Sequence, residues 1–131
     1  AARAGRGRAG ALGLHELGPV SDAVRDALFT RAAAVLAPSK LEGFGLGPLE
    51  ALASGGRVLA TALAAHREVL GDAAVFFPAG DVDAAARVLE AILAESAEES
   101  AALREEGRAR ADLWSVRRMT DAFVASLARL P

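Results

Sequence analysis

Residues 37–55 run APSKLEGFGLGPLEALASG, and they combine three features of a parallel α/β fold. An apolar run ends at Pro38, a loop with glycines at positions 43, 45 and 47 follows, and Pro48 opens an apolar helical stretch. Proline stops a strand because it has no N–H for the ladder, and it suits the first turn of a helix, where N–H groups have no partner within the helix. We therefore predict a strand before Pro38, a glycine turn over 43–47, and a helix from Pro48 to Ser54 that the following glycine pair ends.

The sequence on either side repeats this alternation of short apolar runs and helical periods. The predicted strands are Glu16–Val20, Ala33–Ala37, Arg57–Thr61 and Ala73–Phe77. Helices are predicted after the capping residues Ser21 and Asp81, and over His66–Leu70, Glu98–Ala111 and Val116–Leu130, although Gly107 weakens the second of these ranges. Strands that alternate with helices are typical of a parallel sheet, so the predicted fold class is α/β with about four short strands and flanking helices.

Three of the predicted helices carry apolar stripes at helical spacing. The stripes are Val24, Ala27 and Leu28; Val82, Ala85, Ala86, Leu89, Ile92 and Leu93; and Val116, Met119, Phe123, Val124, Leu127 and Leu130. The last stripe lies on a face that requires a covering partner.

Composition excludes several classes of protein. The chain has 131 residues, 53% hydrophobic and 24% charged, with a net charge of −2 and no cysteine. This composition is that of a folded globular domain, and it excludes disulfide scaffolds and cysteine-ligated metals. The slightly negative charge argues against a nucleic-acid partner, and no apolar run approaches the roughly 20 residues that span a bilayer. With no export signal, the expected compartment is the cytoplasm.

The chain divides into a short leader and one domain. Residues 1–11 contain only Ala, Gly and Arg, and they are predicted to be a flexible segment, with an anion-binding arm as the alternative. Residues 12–131 form the predicted domain.

The glycine turn is a candidate anion site, because ligands bind outside the carboxyl ends of parallel strands and helix N-termini attract phosphate. Glu42 and Glu50 flank it with seven residues between them, and Glu50 could accept two hydrogen bonds from a ribose diol. A plain strand-to-helix turn, with Glu50 compensating the helix dipole, is the alternative. Phe44 either contacts a ligand or fills the space under the turn.

Other residues are given structural roles. Trp114 is predicted to be a packing anchor away from the strand ends, His15 and His66 to be surface or loop histidines, and Lys40 and Arg57 to be solvated loop charges. No metal-ligand spacing joins the histidines, and no serine sits beside a candidate base, so neither a metal site nor hydrolase chemistry is expected.

Four ordered blocks carry a resemblance to a known family. They are LGPVSD at 17–22, Pro38-Ser39 with the Glu-x7-Glu block, EVLGDAA at 68–74, and LWS at 113–115. In these blocks the chain, from about Leu12 to Leu127, resembles part of the C-terminal, nucleotide-sugar-binding domain of the retaining GT-B glycosyltransferases of family 4 (glycosyl transferases group 1). It departs from them at Gly47 and Arg57, where members usually have proline.

The resemblance implies a Rossmann-like sheet and the transfer of a hexose from a nucleoside-diphosphate sugar to an acceptor, with no metal or cofactor. Glu42 would approach the donor sugar, and Glu50 would bind the ribose hydroxyls. The remaining contacts would be main-chain amides for sugar hydroxyls and diphosphate at Gly43, Phe44, Gly45 and Leu46, and the nucleobase near Pro19 and Val20.

The expected partners are the donor and either an N-terminal acceptor domain or a partner chain, because the resemblance leaves out the family's acceptor domain and the first βαβα of this one. The isolated chain is expected to be inactive. Two alternatives stay open: a non-catalytic fragment or interaction module whose last helix and open sheet edge pair with another chain, and a nucleotide-sugar epimerase.

Overall fold

The computed structural model describes residues 13–129, so the predicted flexible segment 1–11 lies outside the described residues. The elements in chain order are helix α1 (Asp22–Arg31), strand β1 (Val35–Ala37), α2 (Leu46–Ala53), β2 (Val58–Thr61), α3 (Ala64–Leu70), a 3-10 turn at Gly71–Ala73, β3 (Ala74–Phe77), α4 (Val82–Leu93), α5 (Ala97–Asp112) and α6 (Val116–Leu127). In the described part of the chain, none of these helices has the length and apolarity to cross a membrane.

The sheet has three parallel strands in the order β1-β2-β3, which confirms the α/β class and the Rossmann-like arrangement with flanking helices. Val58 of the central strand is in register with Val35 on one side and Ala74 on the other. All four residues of β2 are buried, as expected for a central strand with both faces covered. The strand predicted at Glu16–Val20 is wrong: the segment is irregular, and Gly18 has φ +66°, outside the extended region.

The structure corrects the predicted start of α2 and confirms its predicted end. The helix begins at Leu46 rather than Pro48, so Pro48 is its third residue and Gly47 lies inside the helix. Proline is tolerated there because the first N–H groups of a helix have no intrahelical partner. At the other end, Gly55 (φ +79°) donates its N–H to the Leu52 carbonyl at 2.9 Å, and the Gly56 N–H reaches the Ala51 carbonyl at 2.7 Å. This is the Schellman pattern, so the predicted glycine stop is confirmed.

The core lies on both faces of the sheet. One face packs Leu49 and Leu52 of α2 and Leu70 of α3 against β2, while the other packs Phe77 of β3 against Ile92 of α4. The predicted caps are confirmed: the Val24 N–H donates to Ser21 Oγ at 3.4 Å, and the Ala84 N–H donates to Asp81 Oδ1 at 2.8 Å.

Helix α5 packs on α2 through its glycine, and it continues through Gly107 without interruption. Gly107 is buried, and a Cβ at this position would lie 3.1 Å from Leu52 Cδ2, so the missing side chain allows the two helices to approach closely. Arg104 of the same helix donates to the carbonyls of Ala32 and Gly55 at 2.9 and 2.6 Å, at the ends of α1 and α2. Helix α5 therefore joins the C-terminal ends of α1 and α2.

The predicted apolar stripes are covered only in part. In α4, Ile92 is buried and Ala85 packs beside it, whereas Val82 is 77% exposed. No residue of α1 or α6 is buried; the large apolar residues of their stripes are exposed, from Leu28 at 45% to Val116 at 82%, and Leu130 lies outside the described residues. Both helices present apolar faces to solvent in this structure.

The capping box at the start of α5 predicts a pH dependence of stability. The Ser96 N–H donates to Glu99 Oε2 at 2.8 Å, and the Glu99 N–H donates to Ser96 Oγ at 3.2 Å. The backbone hydrogen bond from Ser96, reinforced by that from its hydroxyl, lowers the pKa of Glu99 below its ordinary value of 4.5.

Because the folded-state pKa is lowered, Glu99 stabilises the fold above its ordinary pKa, and this contribution is lost as the pH falls through the lowered value. We expect the unfolding midpoint of Glu99→Gln to lie below that of the unsubstituted chain at neutral pH, with the gap closing below pH 4.5. Thermal unfolding of both chains across this range measures it. A gap that widens on acidification would contradict the capping box.

Candidate functional site

The carboxyl ends of the three parallel strands meet at one edge of the sheet, and the glycine turn leaves β1 at this edge. Gly45 is the N-cap of α2, with φ +89° and ψ 46° in the left-handed region that favours glycine. The first intrahelical bond runs from the Leu49 N–H to the Gly45 carbonyl at 3.1 Å. The N–H groups of Leu46 and Gly47 therefore precede the helical hydrogen-bond ladder, and both residues are exposed. This free helix start is suited to an anion.

His66 lies directly behind the turn, which sequence reasoning missed: it is fully buried, not a surface histidine, whereas His15 is exposed as predicted. A Cβ on Gly45 would lie 2.8 Å from His66 Cδ2, so the ring leaves no room for a side chain there. His66 Nδ1 is 2.9 Å from the Thr61 carbonyl oxygen, and the Thr61 hydroxyl donates to the Ser39 carbonyl at 2.7 Å.

The other ring nitrogen of His66 is unusual. Because a carbonyl oxygen only accepts, Nδ1 carries the ring hydrogen, and Nε2 of the neutral ring is a bare acceptor. Nε2 is buried, and it has no hydrogen-bond partner within residues 13–129. An unsatisfied buried polar group costs about 1–3 kcal/mol, so its presence next to the turn needs an explanation.

Phe44 and Trp114 form an edge-to-face pair beneath the turn. Their ring centroids are 5.4 Å apart with an interplanar angle of 81°, and both rings pack against the buried core cluster. Phe44 thus fills the space under the turn, the second of its two predicted roles. Trp114 is a packing anchor as predicted, but its position is a correction, because it touches the glycine loop rather than lying away from the strand ends.

Glu50 lies in the second turn of α2, because the helix begins at Leu46. It is therefore not placed to compensate the positive end of the helix, the alternative role suggested by the sequence. Its Oε1 is 3.4 Å from Arg25 Nη1, and Arg25 also contacts Asp22 at 3.1 Å and Asp26 at 3.0 Å. The hydrogen bond to Asp26, helped by the charge of Glu50 and opposed by partial burial, raises the pKa of Arg25 above its ordinary value.

The remaining predicted contact residues include Pro19, Val20, Glu42 and Gly43. Pro19 and Val20 are exposed and directly precede Ser21, the N-cap of the helix whose Arg25 contacts Glu50. Glu42 is half-buried in the loop between β1 and the turn, and Gly43 after it is exposed.

Two cavities border the site. One of about 390 Å³ has Glu50, Arg108 and Trp114 in its wall. The other, of about 240 Å³, lies at the strand ends on the opposite face of the sheet, and Lys40 and Asp81 are the charged residues in its largely apolar lining.

The two basic residues predicted to be solvated differ in burial. Lys40 is exposed, as predicted. Arg57 is only 4% exposed and forms a two-pronged ion pair with Glu95 at 2.6 and 3.0 Å, so its prediction as a solvated loop charge is wrong. Across residues 13–129 no three His, Asp or Glu side chains gather in a group that could hold a metal ion.

A parallel α/β sheet with flanking helices, and with a glycine turn and a free helix start at its strand ends, defines a domain of the Rossmann-like class. The model of the family described as "Glycosyl transferases group 1" matches residues 13–110, a range that includes the turn and both flanking glutamates. The chain belongs to this family, and its fold is that of a Rossmann-like GT-B domain of the glycosyltransferase type.

Comparison with solved structures agrees on the fold. The chain is similar to the structure of the N-terminal domain of trehalose-6-phosphate phosphatase from Candida albicans, with a TM-score of 0.77 and 19% sequence identity. The similarity covers 88% of this chain and 25% of that one, so this chain spans a quarter of that structure. No curated protein matches the sequence.

Proposed function

We propose that this chain is the donor-binding part of a retaining glycosyltransferase of family 4, which transfers a hexose from a nucleoside-diphosphate sugar to an acceptor in the cytoplasm. The observation that carries the proposal is the family match over residues 13–110, because it spans a glycine turn whose helix start is free of side-chain caps. Such a start, reached without Cβ atoms in the way, suits a diphosphate.

Different residues would bind different parts of the donor. The amides of the turn, at Gly43, Phe44, Gly45 and Leu46, would hold the diphosphate and sugar hydroxyls, Glu42 would approach the sugar, and the nucleobase would lie near Pro19 and Val20. Stabilising charge on the leaving diphosphate would then be the main catalytic contribution, with no metal or cofactor taking part.

Glu50 is proposed to bind the ribose hydroxyls. Arg25 holds the carboxylate in place, but it shares its single charge among three carboxylates, those of Glu50, Asp22 and Asp26. Glu50 therefore keeps lone pairs for a ribose diol, and hydrogen bonds to a charged carboxylate are among the stronger ones. Its partner Arg25 belongs to the helix that directly follows the segment proposed for the base, which supports a ribose between base and diphosphate.

The proposal predicts that Glu50→Gln weakens nucleotide-sugar binding about tenfold or more, because each lost hydrogen bond to a charged group is worth about 1.5–3 kcal/mol. We would titrate the full chain with UDP-glucose, GDP-mannose and ADP-glucose and follow backbone amide signals by NMR. Perturbed signals should cluster at the turn and around Val20.

Glu90→Gln is the matched control, since Glu90 is an exposed glutamate on α4. It should bind the donor like the unsubstituted chain. Equal affinity of Glu50→Gln and Glu90→Gln would remove Glu50 from the site, and failure of all three donors to bind the unsubstituted chain would overturn the proposed function. We expect the 131 residues alone to bind without turnover.

A second candidate is an interaction module, which the exposed apolar faces of α1 and α6 favour. Phe123 and Val116 on α6 are 63% and 82% exposed. Apolar faces of this kind mark interaction sites, so concentration-dependent association without any nucleotide-sugar binding would support this candidate over the transferase.

A further inference from the structure

We propose that His66 is a positioning residue of the donor site, which fixes the place of the Gly45 turn over the strand ends and, when the donor is bound, accepts a hydrogen bond from a turn N–H on its free Nε2. This inference rests on the proposed function and adds a residue for which sequence reasoning expected only a surface or loop position.

The ring is anchored on its far side from the turn. Nδ1 donates to the Thr61 carbonyl at 2.9 Å, at the end of the fully buried central strand, and Thr61 is itself tied through its hydroxyl to the Ser39 carbonyl at 2.7 Å. The position of the ring is therefore set by the strand ends of β1 and β2 and not by the loop that it supports.

The opposite edge of the ring meets the turn. A Cβ on Gly45 would approach Cδ2 to 2.8 Å and Nε2 to 3.4 Å, so this edge lies against the Gly45 backbone. Gly45 is the N-cap of an eight-residue helix, and its left-handed φ of +89° fixes the direction in which the first helical amides point. A change in the ring would displace those amides.

The free Nε2 of His66 supports the inference independently of the contact between the ring and Gly45. It is an acceptor with no partner among the described residues, on a side chain with 0% exposure, and a Cβ built on Gly45 of the turn would lie 3.4 Å from it. Since the atom is closed to solvent, His66 acts through the turn rather than by touching the donor. An acceptor that gains its partner only when the turn is occupied would favour the bound state.

The chain has only two histidines, which makes a direct test practical. In the ¹⁵N-labelled full chain, addition of UDP-glucose, GDP-mannose or ADP-glucose to saturation should shift the His66 Nε2 signal in the direction of hydrogen-bond acceptance. The signals of exposed His15 serve as the internal control and should not move. A ring that only fills space would show no such shift.

Two substitutions of His66 test the roles of Nδ1 and Nε2 separately. His66→Asn keeps an amide donor near the position of Nδ1 and lacks the acceptor, whereas His66→Gln places an amide oxygen within reach of the position of Nε2. We expect His66→Asn to lose donor affinity up to about tenfold, the range of a single neutral hydrogen bond, and His66→Gln to recover part of it. His15→Asn is the matched control.

The outcomes are distinct. A His66 Nε2 signal that does not move at donor saturation, or a His66→Asn chain that binds like the unsubstituted one, would overturn the inference and leave the proposed function standing. If the substituted chains fail to fold, the ring signal of the unsubstituted chain decides. If the unsubstituted chain binds none of the three donors, the proposed function fails and this inference fails with it.

Discussion

Replacing Glu95 with alanine should destabilise the fold by about 3–5 kcal/mol, because it leaves the Arg57 guanidinium buried without its counter-charge. Arg57 is 4% exposed, and both of its bonds to Glu95, at 3.0 and 2.6 Å, would be lost. Domains of this size are stable by roughly 5–15 kcal/mol, so a large part of the total would disappear. Urea unfolding of the unsubstituted and Glu95→Ala chains measures the difference. Both curves are fitted with the same dependence of the unfolding free energy on urea concentration.

Glu105→Ala is the matched control. Glu105 also contacts an arginine, Arg108, at 2.8 Å, but this pair is exposed, so its loss should cost less than about 1 kcal/mol. The double substitution Arg57→Met with Glu95→Leu should be close to neutral or stabilising, because it removes both desolvated charges together. A Glu95→Ala chain as stable as Glu105→Ala would show that the buried pair contributes nothing beyond a surface contact.

The ion pair between Arg57 and Glu95 could not be predicted from the sequence. Arg57 stands where proline is usual in the resembling family, and the sequence alone suggested a solvated charge. Its partner lies 38 positions away after α4, and no local pattern links the two residues. Burial of a charge depends on what the fold brings against it, so this contact could be found only in the structure.

Local signals were sufficient for most elements. Ser21 and Asp81 cap helices as predicted, and the glycine pair ends α2, because a cap or a left-handed turn is decided by a few neighbouring residues. The predicted strand at Glu16–Val20 was wrong because strand formation depends on more than a few neighbouring residues. Its weak apolar pattern had Gly18 and Pro19 within it, and a strand also needs a neighbour to pair with.

The glycine turn follows β1 at the carboxyl edge of the sheet, as predicted, but the burial of His66 was missed. A signal was present: His66 shares a helical face with Val69 and Leu70, three and four positions later, and all three residues are buried. The contact with Gly45, in contrast, joins segments that only the fold brings together.

Leu52→Ala should destabilise the fold by about 2–5 kcal/mol, because Leu52 is completely buried in the core cluster and its removal leaves a cavity. The loss should be greater than at an exposed leucine such as Leu41, which is 89% exposed and whose replacement should stay within about 0.5 kcal/mol. Urea unfolding and thermal midpoints of Leu52→Ala and Leu41→Ala measure the contrast.

Gly107 allows a second test of the packing around Leu52. A methyl group at 107 would lie 3.1 Å from Leu52 Cδ2, so Gly107→Ala alone crowds the leucine, whereas in Leu52→Ala the same methyl enters the space that the leucine vacated. Alanine also favours a helix interior over glycine by up to about 1 kcal/mol. The double substitution should therefore be more stable than Leu52→Ala alone, and the two effects should be non-additive. Strict additivity would mean that α2 and α5 do not meet at these residues, and that the helix carrying Glu50 and beginning at Gly45 is held in place by other contacts.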